Sequence, residues 1–135
     1  MSAGRYPIYI EQGATIDFEV QYKDSNGNPV NLTGYGARMQ IRPSISSNEV
    51  YLSLTSNLNP DGTGINMSGS APYKPPTSGS LGIYIASCTS SMLNFGDAVY
   101  DLEIFAPTDI NCPVVTRILQ GPVRLSKEVT RWLIM

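Results

Sequence analysis

Two pairs of carboxylates are the residues whose type and spacing could support catalysis. Asp17 lies two residues before Glu19, and Asp101 lies two residues before Glu103. Side chains at this spacing on a β-strand project from one face, so either pair could supply the acid and base of a glycoside hydrolase. Apolar and polar residues alternate around both pairs. This alternation favours a simpler interpretation, in which the carboxylates lie on the solvated face of each strand.

The other residues that catalysis usually requires are scarce. The chain contains no histidine, which excludes a Ser-His-Asp or Cys-His arrangement and a histidine general base. Its two cysteines, Cys88 and Cys112, have no charged neighbour in sequence and cannot form the usual zinc site alone. The isolated glycines near Gly62 and Gly79 lack the lysine of a phosphate-binding loop. We therefore expect no enzymatic activity, cofactor or metal, and two free, partly buried thiols.

Composition restricts the classes of partner. The chain has 135 residues, of which 41% are hydrophobic, enough for one globular domain. Only 15% are charged, the net charge is −2, and no basic run exists, so a nucleic-acid partner is not expected. No apolar run reaches membrane-spanning length and no signal peptide is evident, so we expect neither a membrane partner nor secretion. A surface this poor in charge favours contact with other proteins.

Alternation with a period of two residues dominates the chain and predicts strands. Apolar residues occupy every second position of five segments, at 16–22, 37–41, 50–54, 81–85 and 98–104. A turn at 24–29 contains an Asn-Gly pair and a proline, and one short strand is expected within 64–68.

Two further segments complete the predicted elements. A last strand pair at 114–119 and 123–125 changes its inward parity across 120–122, which predicts a bulge or kink there. A short helical turn at 89–94 should carry Met92 and Leu93 over one edge of the core.

These elements predict an all-β fold of about seven to eight strands, arranged as an antiparallel, immunoglobulin-like β-sandwich. Residues 1–131 should form this single domain. Arg38 and Arg42 should face outward beside the strand that carries the second carboxylate pair. The hydroxyl of Tyr100 is expected either to bond back to the chain, as in many sandwiches, or to lie at the edge of the core.

The predicted protein interface comprises a loop and the C-terminal tail. Residues 56–80 are rich in Asn, Pro, Gly, Ser and Thr and predict a long surface loop that contacts a neighbouring subunit. The tail at 132–135 is apolar, and it either folds back on the sandwich or docks on a neighbour. The candidate interface residues are Trp132, Leu133, Ile134, Met135, Tyr73, Lys74, Pro75 and Pro76.

Six sequence blocks resemble a family of small tailed-bacteriophage proteins related to the N-terminal domain of upper baseplate proteins. They are IEQGA at 10–14, KDSNGNPVNLTGY at 23–35, ARMQIR at 37–42, VYDLE at 99–103, VTRILQGPV at 115–123 and SKEVTR at 126–131. The resemblance spans nearly the whole chain in a fixed order. The loop at 56–80, the turn at 107–113 and the tail depart from it.

The resemblance implies an immunoglobulin-like sandwich with a structural role in the virion, most plainly in the tail or baseplate, and no catalytic residues. The expected partners are other virion proteins, with several symmetric copies in a particle assembled in the host cytoplasm. Two alternatives stay open. One is a head decoration or neck connector protein. The other is a carbohydrate-binding or adhesin module that contacts the host surface through Tyr51, Tyr73 and Tyr84.

Overall fold

The computed structural model describes residues 3–106 and 112–130. The predicted tail at 132–135 and most of the turn at 107–113 lie outside the described residues. The strands, in chain order, are β1 (Gly4–Arg5), β2 (Ile8–Glu11), β3 (Ile16–Gln21), β4 (Gly36–Arg42), β5 (Leu52–Thr55), β6 (Gly64–Asn66), β7 (Ser80–Ile85), β8 (Asp97–Ala106) and β9 (Val114–Ser126). One short helix, α1 (Ser87–Ser90), and a 3₁₀ turn at Pro76–Ser78 complete the described elements.

The strands form two sheets, which confirms the predicted all-β class. The larger sheet has the order β1-β9-β8-β4-β5, with β2 also paired to β9, and the smaller sheet has the order β3-β7-β6. Both sheets supply side chains to one hydrophobic core, which includes Ile41 and Leu102 from the larger sheet and Ile65 and Ile83 from the smaller one. No helix among the described residues is long and apolar enough to cross a lipid bilayer.

The predicted inward rows are buried where their strands are central. In β8 the four residues Ala98, Tyr100, Leu102 and Ile104 are buried, and in β4 Ala37, Met39 and Ile41 are buried. The row of β3 is only half-buried, because β3 forms an edge of the smaller sheet. Period-two alternation therefore identified the inward face correctly, while strand position decided how deeply each row is buried.

The N-terminal segment forms two strands that the sequence did not predict. Strands β1 and β2 run parallel to β9, and Pro7 lies between them. The hydroxyl of Tyr100 donates a hydrogen bond to the carbonyl oxygen of Tyr6 at 2.6 Å. Burial, with a smaller contribution from Tyr6, raises the pKa of Tyr100 to about 12. Of the two expectations for the Tyr100 hydroxyl, the structure shows the bond back to the chain, which holds the junction between β1 and β2.

The predicted bulge exists, but the predicted position at 120–122 is wrong. Strand β9 is continuous. Leu102 of β8 pairs with Leu119, but the next residue, Glu103, pairs with Arg117, so Ile118 is the additional residue. Gly121 has a different role, because a Cβ atom there would lie 2.6 Å from the carbonyl oxygen of Tyr6. A side chain at this position would collide with the N-terminal segment, so the glycine permits close backbone approach.

The helical turn predicted at 89–94 is shifted. Helix α1 ends earlier, and Leu93 is buried as expected, whereas Met92 is 83% exposed. Ser90 is fully buried, and its hydroxyl donates a hydrogen bond to the carbonyl oxygen of Ala14 at 2.6 Å. The turn is therefore fixed by a polar bond to the start of β3 as well as by apolar packing.

Candidate functional site

A groove of about 590 Å³ runs over the outer face of the larger sheet. Its position follows from the alternation in β4, because Met39 and Ile41 point into the core and leave Arg38 and Arg42 on the outer face. Strand β1 contributes Arg5, and strand β9 contributes Arg117. We call this surface the arginine groove, defined by Arg5, Arg38, Arg42 and Arg117.

Ion pairs cross the floor of the arginine groove between neighbouring strands. The Nε atom of Arg38 lies 2.8 Å from a carboxylate oxygen of Glu103, and the Nε atom of Arg117 lies 3.4 Å from one of Asp101. Arg42 instead donates to the carbonyl oxygen of Ser47 at 2.7 Å. The predicted placement of Arg38 and Arg42 beside the second carboxylate pair is confirmed. Exposed pairs of this kind contribute at most about 1 kcal/mol each.

Asp101 lies on the floor of the groove and shares this face of β8 with Glu103. Partial burial raises the pKa of its carboxyl group, and the nearby Glu103 adds to the rise, while Arg117, Arg38 and Arg42 act in the opposite direction. The side chains of Glu103 and Asp101 are 22% and 40% exposed, so the floor of the groove is partly shielded from water, which strengthens electrostatic contacts made there.

A second concavity, of about 350 Å³, lies on the outer face of the smaller sheet. Asp17 of β3 pairs with Tyr84 of β7, and Tyr84 pairs in turn with Gly64 of β6, so the three residues form one row across the sheet. Tyr73, from the loop that follows β6, lines the same concavity and is 67% exposed. We call this surface the tyrosine cleft, defined by Asp17, Asp61, Tyr73 and Tyr84.

The loop predicted at 56–80 is largely fixed against the smaller sheet by contacts within the chain. It contains β6 and the 3₁₀ turn. Glu19 accepts hydrogen bonds from the Lys74 ammonium and the Ser70 backbone N–H, both at 2.9 Å. The bond from Lys74, and then that from Ser70, lowers the pKa of Glu19. The first carboxylate pair therefore includes a residue that holds this loop in place.

The structure separates the predicted interface residues into different environments. Tyr73 and Pro75 are exposed, whereas Lys74 is paired with Glu19. Pro76 is half-buried, and its carbonyl oxygen accepts a hydrogen bond from the Leu32 N–H at 3.0 Å. Within the described part of this group, only two residues are thus available to a partner without breaking an internal bond.

The three tyrosines considered for ligand stacking do not lie together. Tyr73 and Tyr84 line the tyrosine cleft, but the ring of Tyr51 stacks on Phe95 with 4.6 Å between centroids and 5° between planes. Tyr51 was expected to point outward with Val50 inward; instead Tyr51 packs against the core and Val50 is exposed. Both residues precede β5, which begins at Leu52, so the alternation of that strand does not govern them. Tyr51 instead turns inward to stack on Phe95.

Asp61, at one end of the tyrosine cleft, joins the segment before β6 to helix α1. Its carboxylate accepts hydrogen bonds from the Thr89 hydroxyl at 2.7 Å and from the Thr63 N–H at 2.9 Å. These bonds, with that from Thr89 the largest cause, lower the pKa of Asp61 to about 2. The Asp61 carboxylate therefore stays ionised at neutral pH, the condition under which a ligand or partner would bind.

Replacing Asp61 with asparagine is expected to change how stability depends on pH. Because the pKa of folded Asp61 lies below its ordinary value of 3.8, its carboxylate stabilises the fold above pH 3.8. That contribution disappears as the pH falls towards 2. Thermal melting should therefore show a gap between the native protein and Asp61→Asn at neutral pH that closes in acid. A gap of constant size would contradict the assignment.

Replacing Thr63 with valine is expected to lower the free energy of unfolding by about 1–3 kcal/mol. Thr63 is buried, and its hydroxyl accepts a hydrogen bond from the Ala86 N–H at 3.0 Å. Valine has nearly the same shape but leaves this buried N–H without its acceptor. Urea unfolding measures the loss, and Thr63→Ser, which keeps the hydroxyl, should retain more stability than Thr63→Val.

Gln12 is a structural residue that sequence reasoning missed. Its side-chain amide donates to the carbonyl oxygen of Leu93 at 2.7 Å and accepts from the Glu128 N–H at 3.0 Å. Together with the bond from Ser90 to Ala14, it ties the end of β2 to two distant segments. The only signal in the sequence was its place in the block at 10–14.

Both cysteines are free and exposed, so the expectation of partly buried thiols is wrong. Cys88 lies in α1, where its thiol is 3.5 Å from a carboxylate oxygen of Asp61. Within residues 3–106 and 112–130, no group of three or more acidic, cysteine or histidine side chains is placed to bind a metal ion.

Comparison of the chain with protein-family models and with curated protein sequences finds no match. The class of protein that can be stated from the fold is an all-β domain of two sheets around one core, with a concave surface on the outer face of each sheet.

Proposed function

We propose that the chain is a non-enzymatic structural subunit of a bacteriophage virion, placed in the tail or baseplate. The observation that carries this proposal is that the sequence blocks shared with the family build the framework, whereas a divergent segment builds an exposed surface. The block at 10–14 contains Gln12, which ties three segments together, and the block at 115–123 contains the β9 bulge. The loop at 56–80, which departs from the family pattern, instead builds the tyrosine cleft. A shared framework with a variable contact surface suits an assembly protein.

We further infer an immunoglobulin-like sandwich. The larger sheet contains the order β9-β8-β4 and the smaller one contains β3-β7-β6. These orders correspond to the GFC and BED strand groups of immunoglobulin domains, if β3 is taken as strand B. The bond from the Tyr100 hydroxyl to the backbone supports this inference, although its acceptor is in the N-terminal segment rather than nearby in the chain.

Neither of the two carboxylate pairs has both members free to act as the acid and base of a hydrolase. Asp101 and Glu103 are bound to arginines across strands, and Glu19 is bound to Lys74. A general acid and base must be free to exchange protons with substrate and water. In the proposed role these groups fix strand pairing and loop position, and the partners are other virion proteins.

Electron microscopy of the intact particle tests the proposal. We expect density for the two-sheet body in several symmetry-related copies within the tail or baseplate of a virion assembled in the host cytoplasm. Density on the capsid or at the neck would favour the alternative of a head decoration or connector protein. Absence of the protein from purified particles would contradict a virion role altogether.

A second candidate, a carbohydrate-binding module, is favoured by one observation: Tyr73 and Tyr84 line the same cleft as the carboxylate of Asp17. Aromatic faces stack on sugar rings, and carboxylates accept hydrogen bonds from sugar hydroxyls. A glycan array should then show binding that Tyr84→Ala abolishes. Tyr9→Ala is a matched control, because Tyr9 is 71% exposed and lies on β2, outside the cleft.

A further inference from the structure

We propose that the outer face of the smaller sheet, which carries the tyrosine cleft, docks onto the face that carries the arginine groove in a second copy of this chain, head to tail. The proposal deepens the structural role and rests on it, since it identifies the partner of both concave surfaces as the chain itself. Three features of the described residues support it: the charges of the two faces, the side chains exposed on them, and their placement on opposite sides of the body.

The charges of the two faces are complementary. The arginine groove contains four arginines against two carboxylates, which gives it a positive excess on a chain whose net charge is −2. The face around the tyrosine cleft contains Asp17, Glu19 and Asp61 against Lys74. Opposite potentials on facing surfaces accelerate encounter, fix the register of docking and disfavour wrong partners.

The side chains exposed on the two faces also suit each other. Tyr73 projects at the rim of the cleft, and the groove offers guanidinium groups on which a tyrosine ring can stack. Ile45 lies on the groove rim and is 92% exposed, which leaves an apolar side chain in water unless a partner covers it. Tyrosine and arginine are the residue types that most often dominate binding energy at protein interfaces.

The placement of the two faces determines the kind of assembly. One lies on the outer side of the larger sheet and the other on the outer side of the smaller sheet, so a single copy presents both at once. Contacts between unlike faces are heterologous and generate a ring when the rotation closes, or a stack when it does not. A closed ring of this kind would supply the several symmetric copies that the proposed role requires.

Arg5 and Asp17 are the residues best suited to a test. Both are exposed, and neither takes part in the ion pairs found among the described residues. Reversing either charge should therefore leave the fold intact, which circular dichroism verifies. Lys127→Glu is the matched control for Arg5→Glu, because it makes the same change in net charge at an exposed residue beyond β9.

The experiment is sedimentation velocity of the full chain over a range of protein concentrations. We expect self-association at about 0.05 M salt that weakens at about 0.5 M, where charges are strongly screened. Arg5→Glu and Asp17→Lys should each weaken association at least about tenfold. An equimolar mixture of the two variants should recover association, because the reversed groove of Arg5→Glu meets the reversed cleft face of Asp17→Lys. The double variant should also recover it, because every copy carries both reversals. Ile45→Ala should weaken association by a similar factor at both salt concentrations, because it removes no charge.

Three results would overturn the proposal. They are a monomer at every salt and protein concentration, charge variants that behave like Lys127→Glu, and a mixture that associates no better than its components. A monomer that is still incorporated into particles would refute the self-docking while leaving the virion role in place. Glycan binding at the tyrosine cleft of a monomer would assign that surface to a saccharide instead.

Discussion

Replacing Ile41 with alanine is expected to lower the free energy of unfolding by about 2–5 kcal/mol. Ile41 has no exposed surface and lies in β4, between Tyr100 of β8 and Leu52 of β5. Truncation removes buried methyl and methylene groups and leaves a cavity that the paired strands on both sides cannot close. Because domains of this size are stable by only about 5–15 kcal/mol, the loss should be plain in urea or thermal unfolding.

Ile45→Ala is the matched control for this prediction. It makes the same chemical change four positions along the chain, at a side chain that is 92% exposed. Its effect on stability should stay within about 0.5 kcal/mol. Similar losses for both variants would mean that β4 does not carry the core as described, and that the larger sheet packs differently.

The sequence was most informative where an element is long and its alternation regular. In β4 and β8 the residues predicted to face inward are buried, and Arg38 lies beside Glu103 as expected. The turn at 24–29 also forms, with the Asp24 carboxylate accepting hydrogen bonds from the N–H groups of Asn26 and Asn28. These features depend on local periodicity and turn chemistry, which a sequence displays directly.

Features that depend on distant contacts were missed or misplaced. Strands β1 and β2 are short, and they exist because β9 offers them an edge more than a hundred residues later in the chain. Likewise, the polar composition of the loop at 56–80 does not reveal what holds it against the smaller sheet. Its fixed position comes from Glu19, whose hydrogen bonds to Ser70 and Lys74 span more than fifty residues.

The candidate site was therefore predictable only in part. The arginines of β4 were placed on the outer face from alternation alone, but Arg5 depends on the unpredicted β1. Tyr84 and Tyr73 were singled out by type, whereas the cleft that joins them requires the loop to fold back over β7. Residue type indicated what could bind, and the non-local contacts decided which residues share a surface.

Replacing Gly82 with alanine is expected to lower the free energy of unfolding by about 1–3 kcal/mol and to displace the wall of the tyrosine cleft. A Cβ atom at this position of β7 would lie 2.5 Å from the carbonyl oxygen of Gly69 and 2.9 Å from the Ser70 nitrogen. Both are backbone atoms, so the added methyl group cannot be accommodated by a side-chain rotation. The loop must move instead, which weakens the bond from Ser70 to Glu19.

Gly96→Ala separates this collision from the general effect of replacing a glycine. A Cβ atom at Gly96 would meet nothing within 4 Å, and neither Gly96 nor Gly82 adopts a positive φ. The control should therefore leave stability nearly unchanged. Amide hydrogen exchange should show faster exchange at Ser70 in Gly82→Ala alone, since that N–H loses its fixed acceptor. Unchanged exchange there, with full stability, would mean that the loop does not rest on β7 and that the cleft lacks its wall.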